Sequence, residues 1–598
     1  NMSRINGSNL KKTYYYLKRN GLRDTYLAAL ERLQEKSVLA PDSPLTESDL
    51  ETQRNKTWEW EPKFSILVPT FKTKERYLRE MVDSVLGQTY RNLELIIADA
   101  SGDDSVTSVI KQYDDARIVL VSLPENLGIA GNTNAALRQA TGDYIGLLDH
   151  DDVLTKDALF EMATLLVQAN QEGKKLHMIY SDEDKCDETG TNYYEIHKKE
   201  DFNLDLLLSN NYICHFTSFK ATLIQEAGMF RQYDGSQDHD MILRLTAVAK
   251  KICHIPKVLY YWRSHPASVA SDISAKPYAV TAGKKVVTDF LAARGVDATV
   301  ESTKVFPAVY KINYKIAGTP LVSIIIPNKD HIKDLTRCID SIKAHSTYDN
   351  YEIVVVENNS TSEIIFKYYE YLETFDNVRV VRYPEQFNYA AINNFGAKYA
   401  KGEYLLLLNN DTEVITPEWI EEMLAYAQRP DVGAVGAKLY YEDNTIQHAG
   451  IVVGLGAHRA AGHIHYGVPA ASKGYMGKLH YTQNVSAVTG ACLMVKKSIY
   501  DAVGGLDEKF AVAFNDVDFC LRLRDKGYLN IFTPDAELYH YESKSRGLEN
   551  TTTKRKRFDG EVKLFRERWA ELIAKGDPYY NVNFSLDYAD YEIRSENE

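Results

Sequence analysis

A short apolar stretch that ends in acidic or amide side chains occurs twice in this 598-residue chain, beginning at Gly142 and at Gly402. The repeat sets corresponding residues 260 positions apart, Asp149 with Asn409 and Asp151 with Asp411. In an α/β sheet, such a strand delivers these side chains to the cleft beyond its carboxyl end. Carboxylates in that cleft can hold a divalent cation against a diphosphate. The repeat therefore predicts two nucleotide-sugar sites in one polypeptide.

Strand-like and helix-like segments alternate in the same order around both copies. The first half predicts strands at 64–68, 93–98, 117–121 and 144–148, and helices at 75–87, 103–113 and 129–140. The second half predicts strands at 321–326, 351–356, 378–381 and 404–408, and helices at 331–345, 360–372 and 389–400. Short apolar strands alternating with helices favour an α/β fold with a mostly parallel sheet covered on both faces.

This order predicts a tandem duplication of one domain, in a chain that is too long for a single core. The expected parts are a helical N-terminal extension with a linker, a first domain, a second linker, a second domain and a charged, helix-prone tail. Their expected bounds are 1–62, 63–299, 300–319, 320–547 and 548–598.

Composition argues against several classes of function. A formal net charge of −13 disfavours nucleic-acid binding, which needs a basic surface. No apolar run approaches the roughly 20 residues that cross a bilayer, and no secretory signal is recognisable. The six cysteines are scattered without a Cys-x-x-Cys pair, which is typical of reduced thiols rather than of disulfides or a zinc site. A cytoplasmic protein is therefore expected.

An Asp-x-Asp pair follows the acidic cluster in each half, at Asp238 and Asp240 and again at Asp516 and Asp518. Both pairs begin an amphipathic helix, where the helix dipole alone already favours acids. Their recurrence after each acidic cluster favours a catalytic role for Asp238 and Asp516. A carboxylate with a raised pKa can remove the proton from an attacking sugar hydroxyl.

A histidine also follows a proline-started strand in each half, His265 nine residues after Pro256 and His540 six residues after Pro534. Imidazole is a good ligand for Mn²⁺-like ions. The unequal spacing favours His540 over His265 as a ligand, and a structural role stays open for both.

Taken together, these residues resemble family 2 inverting glycosyltransferases with the GT-A fold, over residues 63–275 and 320–547. The resemblance implies two tandem GT-A domains with Rossmann-like sheets and Mn²⁺ or Mg²⁺ as cofactor. The cation ligands that it implies are Asp149, Asp151 and His265 in the first half and Asp411 and His540 in the second. The general bases that it implies are Asp238 and Asp516. The acceptor hydroxyl would attack the anomeric carbon from the face opposite the departing diphosphate, which inverts the configuration.

Further ligand contacts are expected around the strand ends. A UDP- or dTDP-linked sugar is expected to contact Pro69, Thr70, Asp99 and Asp149 in the first half and Pro327, Glu357, Asn410, Asp411 and Arg546 in the second. Helix N-caps explain Asp99 and Glu357 equally well, and a surface salt bridge explains Arg546. The acceptor is expected near His215, Thr489 and Gly490.

Other functions remain open at this point. Asn409 and Asn410 stand where the family pattern has acids, so one half alone could be catalytic while the other binds the acceptor or is structural. A sugar-phosphate nucleotidyltransferase shares the α/β shape, but residues 69–72 do not supply its glycine-rich phosphate loop. A lectin would not need a base and a metal cluster in each half. The lack of a Gln-x-x-Arg-Trp motif argues against a processive cellulose- or hyaluronan-type synthase.

The segment after His540, with the pattern His-x-x-Ser-x-Ser-Arg-Gly, resembles that of bacterial polysaccharide enzymes, rhamnosyltransferases among them. The expected acceptor is therefore a glycan or lipid-linked glycan of a growing cell-surface polysaccharide. Basic and aromatic residues at 11–19 and a basic run at 554–557 suit peripheral contact with an anionic membrane, and a solvated helix face is the alternative. The donor sugar, the linkage and the oligomeric state stay open.

Overall fold

The computed structural model describes residues 45–233, 235–265, 277–541 and 552–594. These residues form two compact units. The first contains the described residues of 36–202 and 207–312, and the second contains 203–206 and the described residues from 313 onward. The basic stretch at 11–19 and Arg546 lie outside the described residues, and the finer domain bounds stay predictions.

Up to residue 314, eleven strands and nine α-helices are described. The strands are β1 Phe64–Thr70, β2 Leu93–Asp99, β3 Ile118–Ser122, β4 Tyr144–Leu147, β5 Val153–Leu154, β6 Met178–Cys186, β7 Tyr193–His197, β8 Thr217–Lys220, β9 Ile252–Arg263, β10 Ala298–Ser302 and β11 Tyr310–Tyr314. The helices are α1 Glu47–Arg54, α2 Glu75–Leu86, α3 Thr107–Ile110, α4 Gly128–Leu137, α5 Ala158–Gln171, α6 Leu204–Ser209, α7 Ile224–Ala227, α8 Gln237–Val248 and α9 Pro277–Ala293.

After residue 314, twelve strands and eight α-helices are described. The strands are β12 Val322–Asn328, β13 Tyr351–Glu357, β14 Val378–Arg382, β15 Tyr404–Leu408, β16 Thr412–Val414, β17 Val432–Tyr440, β18 Ile446–His448, β19 Ile451–Val453, β20 Ala461–His463, β21 Gln483–Val485, β22 Cys492–Lys496 and β23 Leu529–His540. The helices are α10 Ile332–His345, α11 Glu363–Leu372, α12 Tyr389–Tyr399, α13 Trp419–Ala427, α14 Lys497–Ala502, α15 Asn515–Asp525, α16 Thr552–Arg568 and α17 Ala570–Lys575.

Each unit has one large sheet, and the two sheets have the same strand order. In the first sheet the order is β3-β2-β1-β4-β8-β6-β9-β5, and in the second it is β14-β13-β12-β15-β22-β17-β23-β16. The first four strands of each order are parallel, as expected when helices connect them, and antiparallel partners follow. Every residue of β2 is buried, which is typical of a central strand covered on both faces. The predicted α/β fold in two tandem copies is confirmed.

One helix prediction was wrong in extent. The helix expected at 103–113 is limited to α3, Thr107–Ile110. The Asp103 side chain accepts a hydrogen bond from the Ser105 amide at 3.0 Å and also contacts the Ser105 hydroxyl. This local turn competes with a helical start.

The glycine that opens each repeat has a packing role at the amino end of the sheet. Gly402 N donates to Ser323 Oγ at 2.8 Å, and Ser323 Oγ donates to Glu352 Oε1 at 2.7 Å. A Cβ on Gly402 would lie 2.6 Å from Ser323 Oγ and 2.7 Å from a backbone oxygen and a backbone nitrogen. The same contacts recur in the first unit among Gly142, Ser65 and Glu94.

The described part of the tail packs on the second unit. Asp518, at the start of α15, is fully buried and accepts from Arg568 Nη1 at 2.8 Å and from Trp569 Nε1 at 3.1 Å. Glu561 accepts from the backbone amides of Val512 and Ala513 at 2.9 and 3.2 Å. The tail therefore braces the loop that leads into α15. Within the described ranges, no helix combines the length and the apolar character needed to span a bilayer.

Candidate active sites

The first candidate site begins with the acids beyond β4, at the carboxyl end of the parallel strands. The Asp149 side chain is 48% exposed and that of Asp151 is 15% exposed. Asp152 is buried, accepts from the Arg263 amide at 2.7 Å and accepts from the Tyr260 hydroxyl. Asp152 therefore connects the acidic loop to β9, whereas the Asp149 side chain stays half exposed at the carboxyl end of the strands.

His215 joins Asp149 to buried charges. Its Nε2 lies 3.7 Å from Asp149 Oδ2, its Nδ1 lies 3.2 Å from Glu183 Oε2, and its ring stacks on Tyr260 with 4.5 Å between centroids. Burial disfavours the imidazolium, but Cys214 and Glu183 outweigh burial and hold the pKa of His215 well above its ordinary value. A cation bound beside Asp149 would therefore have to displace the proton from this ring before His215 could act as a ligand.

Beneath His215 lies a buried ion pair. Lys199 Nζ donates to Glu183 Oε2 at 3.2 Å and to the Ile213 carbonyl at 2.6 Å. Burial alone would raise the pKa of Glu183, but Lys199 and the neighbouring histidines hold it well below its ordinary value. The carboxylate is therefore charged, and it orients the His215 ring.

Asp238, the proposed base, lies in the first turn of α8 close enough to Asp149 for their charges to interact. Burial and the charge of Asp149 raise the pKa of Asp238 to about 6. The pKa of Asp149 is also raised, because the surrounding protein removes part of its solvent; His215 opposes this shift and the charge of Asp151 reinforces it. A carboxylate with a pKa near 6 is mostly ionised at neutral pH and is more basic than an ordinary aspartate, as a general base requires.

The first site contains two groupings suited to a cation. Asp149, Asp152 and His215 each offer a ligand atom within 4.8 Å of the others. Next to them, His265 Nε2 and Asp151 Oδ2 are 2.7 Å apart. The structure thus brings the predicted Asp149, Asp151 and His265 to one place and adds Asp152 and His215 to the possible ligands.

The second candidate site is built with fewer charges. Asn409 Nδ2 lies 3.2 Å from His540 Nε2, and the same His540 atom lies 3.3 Å from Asp411 Oδ1. The side chains of His540 and Asp411 are 5% and 7% exposed. His540 Nδ1 is buried without a hydrogen-bond partner among the described residues.

Asp516 lies in the first turn of α15, and two backbone amides orient it. Gly490 N donates to Asp516 Oδ2 at 2.8 Å, and Val517 N donates to Oδ1 at 2.8 Å. The Tyr389 hydroxyl lies 2.8 Å from the Gly490 carbonyl and 3.1 Å from Asn409 Oδ1. Of the predicted acceptor residues, Gly490 therefore contacts the proposed base directly, whereas Thr489 N donates to His448 at 3.2 Å.

Strand register shows that the two late histidines are not counterparts. Val153 pairs with Tyr261 in the first sheet, and Glu413 pairs with Tyr539 in the second. Val153 and Glu413 are counterparts, 260 residues apart, so their partners Tyr261 and Tyr539 also correspond. The next residue along each strand is Trp262 in the first sheet and His540 in the second, whereas His265 lies beyond the end of β9. Both histidines nevertheless reach the repeated aspartate of their own half.

The second acid of each Asp-x-Asp pair has a structural contact that the sequence pattern did not reveal. Asp240 accepts from Arg244 Nε at 3.0 Å and from Nη2 at 2.5 Å, and Arg244 also donates to backbone carbonyls of residues 227–229. Asp518 and Arg522 repeat the contact, with Arg522 donating to the carbonyls of residues 503 and 505. In each half this pair fixes the helix that carries the proposed base.

The residues predicted at the strand ends are mostly engaged with one another. Asp99 accepts from Thr70 Oγ1 at 3.1 Å and from Ser101 Oγ at 2.6 Å. Glu357 accepts from the Ser360 amide and hydroxyl at 2.5 and 2.6 Å, and from the Tyr369 hydroxyl at 2.6 Å. These are contacts within the loops after β2 and β13. Neither acid is the helix N-cap that was the alternative, because the helices that follow are preceded by Val106 and Ser362. A direct contact with the nucleotide sugar stays a prediction.

The other strand-end residues occupy equivalent places. Pro69 and Pro327 lie one residue before the ends of β1 and β12. Asn410 Nδ2 donates to Oδ1 of Asn328, the last residue of β12, at 2.7 Å.

Besides Asp152, the sequence analysis missed Glu183, Lys199 and Tyr389 among the side chains of these sites. Glu183 and Lys199 come from β6 and from the loop after β7, and the sequence shows no repeat signal at those positions. Tyr389 was assigned only to a helix. Its counterpart, 260 residues earlier, is Ile129, so comparing the two halves position by position could have singled it out.

The model of the family described as "Glycosyl transferase family 2" matches residues 65–227 and 323–504, which is more than half of the chain. An uncharacterized protein, y4gI, of Sinorhizobium fredii is 44% identical over 542 residues, covering 89% of this chain and 59% of the relative. The O-antigen biosynthesis protein RfbC of Myxococcus xanthus is 36% identical over 541 residues, covering 89% of this chain and 41% of the relative. The chain thus spans about half the length of these curated relatives.

Among solved structures, S. aureus TarS 1–349 in complex with UDP-GlcNAc is 19% identical with a TM-score of 0.32. The matched region covers 38% of this chain and 66% of the TarS chain. This likeness is too low to support an inference about ligand or substrate.

Proposed function

Since the chain belongs to glycosyl transferase family 2, we propose that it is an inverting glycosyltransferase with one nucleotide-sugar site in each half. Each site transfers a hexosyl or rhamnosyl group from a UDP- or dTDP-linked donor to a glycan or lipid-linked glycan of a cell-surface polysaccharide. The name of the Myxococcus relative, an O-antigen biosynthesis protein, supports the polysaccharide class.

The observation that carries this proposal is the convergence of a strand-end acid and a helix-start acid in the first half. Asp149 and Asp238 come from elements that are far apart in the chain, and the charge of Asp149 helps to raise the pKa of Asp238 to about 6. The two acids have different roles: Asp149 binds the nucleotide-sugar donor, and Asp238 takes the proton from the acceptor hydroxyl. In the second half, Asp516 takes the same role, with two amide donors holding its carboxylate in one orientation.

The side chains available as ligands in both halves fit a divalent cation. In the first half, Asp149, Asp151 and Asp152 with His215 or His265 offer oxygen and nitrogen ligands close together. In the second half, Asp411 and His540 present a carboxylate oxygen and an imidazole nitrogen 3.3 Å apart, both buried. Oxygen-rich sets suit Mg²⁺ or Mn²⁺, and imidazole favours Mn²⁺. When bound, the cation neutralises negative charge that develops on the departing diphosphate.

A second candidate function keeps only the first half catalytic, with the second half binding the acceptor or serving as a structural module. It is favoured by Asn409 and Asn410, which reduce the second cluster to the single carboxylate of Asp411.

We place the enzyme in the cytoplasm. The exposed Arg555 and Lys556 of α16 are the proposed contact with an anionic membrane surface that carries the acceptor.

The test measures nucleoside diphosphate release from UDP-glucose, UDP-galactose, UDP-N-acetylglucosamine and dTDP-rhamnose with Mn²⁺, using the full chain. Asp238→Asn and Asp516→Asn should each remove part of the activity, and the double variant should remove all of it. Asp525→Asn, on the same helix as Asp516 and exposed, is the matched control and should keep full activity. If Asp516→Asn has no effect while Asp238→Asn abolishes turnover, only the first half is catalytic. Undiminished activity in excess EDTA would refute the cation sites.

A further inference from the structure

Tyr389, on α12 of the second half, contacts both parts of the second candidate site. Its hydroxyl lies 2.8 Å from the Gly490 carbonyl and 3.1 Å from the Asn409 side chain. Gly490 donates its amide to Asp516, and Asn409 contacts His540, which faces Asp411. One buried hydroxyl therefore stands between the proposed base and the proposed cation ligands.

We propose that Tyr389 is a positioning residue for the second-half reaction, holding the Gly490 loop and the Asn409 side chain in the arrangement that chemistry requires. This inference rests on the proposed function of the second half. Tyr389 acts through Gly490 and Asn409, so its loss should slow turnover more than it weakens donor binding. A misplacement of reacting groups by a fraction of an ångström already lowers the rate of an enzymatic step.

The number of hydrogen-bond donors and acceptors around the Tyr389 hydroxyl supports its role in holding the Gly490 loop. A hydroxyl has one hydrogen to donate, and both Gly490 O and Asn409 Oδ1 are acceptors. Rotating the Asn409 amide by 180° lets its Nδ2 donate to Tyr389 while Tyr389 donates to Gly490, and side-chain amides are interchangeable in this way. In either orientation the shorter contact, to Gly490, orders the loop that carries the amide donor to Asp516.

The first half cannot build this connection. Its counterpart of Tyr389 is Ile129, which is 50% exposed and has no hydrogen-bonding group. The alignment of α4 with α12 is supported by Asn134 and Asn394, which are 260 residues apart. Asn134 exchanges two hydrogen bonds with the backbone of Phe230, and Asn394 exchanges two with the backbone of Leu506. The first half instead orients Asp149 through His215 and Glu183. The two sites therefore reach a similar arrangement by different means.

The experiment compares Tyr389→Phe with Tyr399→Phe, both in the Asp238→Asn background, so that turnover reports the second half. Tyr399 lies on the same helix, and its side chain is 42% exposed and packs on Phe395. Nucleoside diphosphate release is measured with Mn²⁺ and the four nucleotide sugars named above, and thermal unfolding is measured for each variant. We expect Tyr389→Phe to lower kcat about tenfold with donor KM changed less than about threefold. Tyr399→Phe should match the parent.

A second variant tests the same contact without removing the hydroxyl. A Cβ on Gly490 would lie 3.2 Å from the Tyr389 hydroxyl, a tight approach, and 3.4 Å from Asp516 Cβ, an ordinary contact. Gly490→Ala should therefore displace the Tyr389 hydroxyl and lower kcat as well. This variant decides the matter if Tyr389→Phe proves unstable at the assay temperature.

The outcomes separate the inference from the proposed function on which it rests. An inactive Asp238→Asn parent would overturn both, because there would then be no second-half reaction to position. An active parent with unchanged kcat in Tyr389→Phe and Gly490→Ala would overturn the inference alone. A rise in donor KM at constant kcat would also overturn it, because Tyr389 would then be a donor contact.

Discussion

Replacing Lys199 by methionine tests whether a buried charge network supports the first candidate site. Lys199 is 1% exposed and lies against Glu183, which is 5% exposed, with 3.2 Å between Nζ and Oε2. Methionine keeps most of the side-chain length and removes the charge. The Glu183 carboxylate would then remain buried without the cation next to it, and the carbonyls of Ile213 and His215 would lose their donor.

The expected magnitude follows from burial. Removing one partner of a buried ion pair costs about 3–5 kcal/mol. The matched control is Lys185→Met, because Lys185 forms an ion pair with Glu195 at 2.5 Å whose side chains are 23% and 47% exposed. An exposed pair contributes about 0–1 kcal/mol. The same chemical change should therefore differ by at least about 2 kcal/mol between the two positions.

Hydrogen exchange followed by mass spectrometry is the suitable assay, since a long chain with two units is not expected to unfold in a single transition. Peptides from β6, Met178–Cys186, report the perturbed site, and peptides from β17, Val432–Tyr440, provide an internal reference. Lys199→Met should speed exchange in β6 by about a hundredfold or more relative to wild type. Equal exchange in Lys199→Met and Lys185→Met would refute the argument from burial.

The pH dependence gives an independent check of the sign. In the wild type the pKa of Glu183 is held well below its ordinary value, so Glu183 contributes stability above the unfolded pKa of about 4.3 that is lost as pH falls through the folded value. In Lys199→Met this contribution is removed, and burial favours the neutral acid. The deficit relative to wild type should therefore be larger at pH 8 than at pH 5. A deficit independent of pH would indicate lost packing rather than lost charge.

Three further predictions follow from the other contacts. Gly402→Ala should destabilise the second unit by about 1–3 kcal/mol, because the added Cβ would lie 2.7 Å from backbone atoms. Gly560→Ala is the control: its Cβ would have no atom within 4 Å, and it should stabilise α16 by up to about 1 kcal/mol. Differential scanning calorimetry compares the two variants. In the Asp516→Asn background, turnover should fall as pH drops through about 6, because protonation of Asp238 removes the base, and a pH–kcat profile that is flat from 5 to 8 would contradict this. Arg244→Lys should lose the two hydrogen bonds that Arg244 donates to the Asp240 carboxylate, and hydrogen exchange in α8 should rise about tenfold or more. Unchanged exchange would contradict a structural role for that pair.

Comparison of the two sites shows where sequence reasoning succeeded. The repeat at Gly142 and Gly402 correctly predicted the α/β fold and its tandem duplication. These inferences held because strand and helix periodicity is local, and because a duplicated domain inherits its topology. His265 and His540 do not occupy corresponding positions, since strand register places His540 where the first sheet has Trp262.

The sequence by itself determined the duplication, the α/β class, the family resemblance and the order in which the acids follow the strands. Only the tertiary structure decided which acids stay exposed and which are hydrogen-bonded to neighbours, as Asp149 and Asp152 show within four consecutive residues. It also brought in Lys199, which no sequence pattern marks, and it gave Tyr389 its contacts with Gly490 and Asn409. The physical reason is that side-chain direction and charge partners depend on register and on contacts between distant segments, and a linear pattern does not contain either.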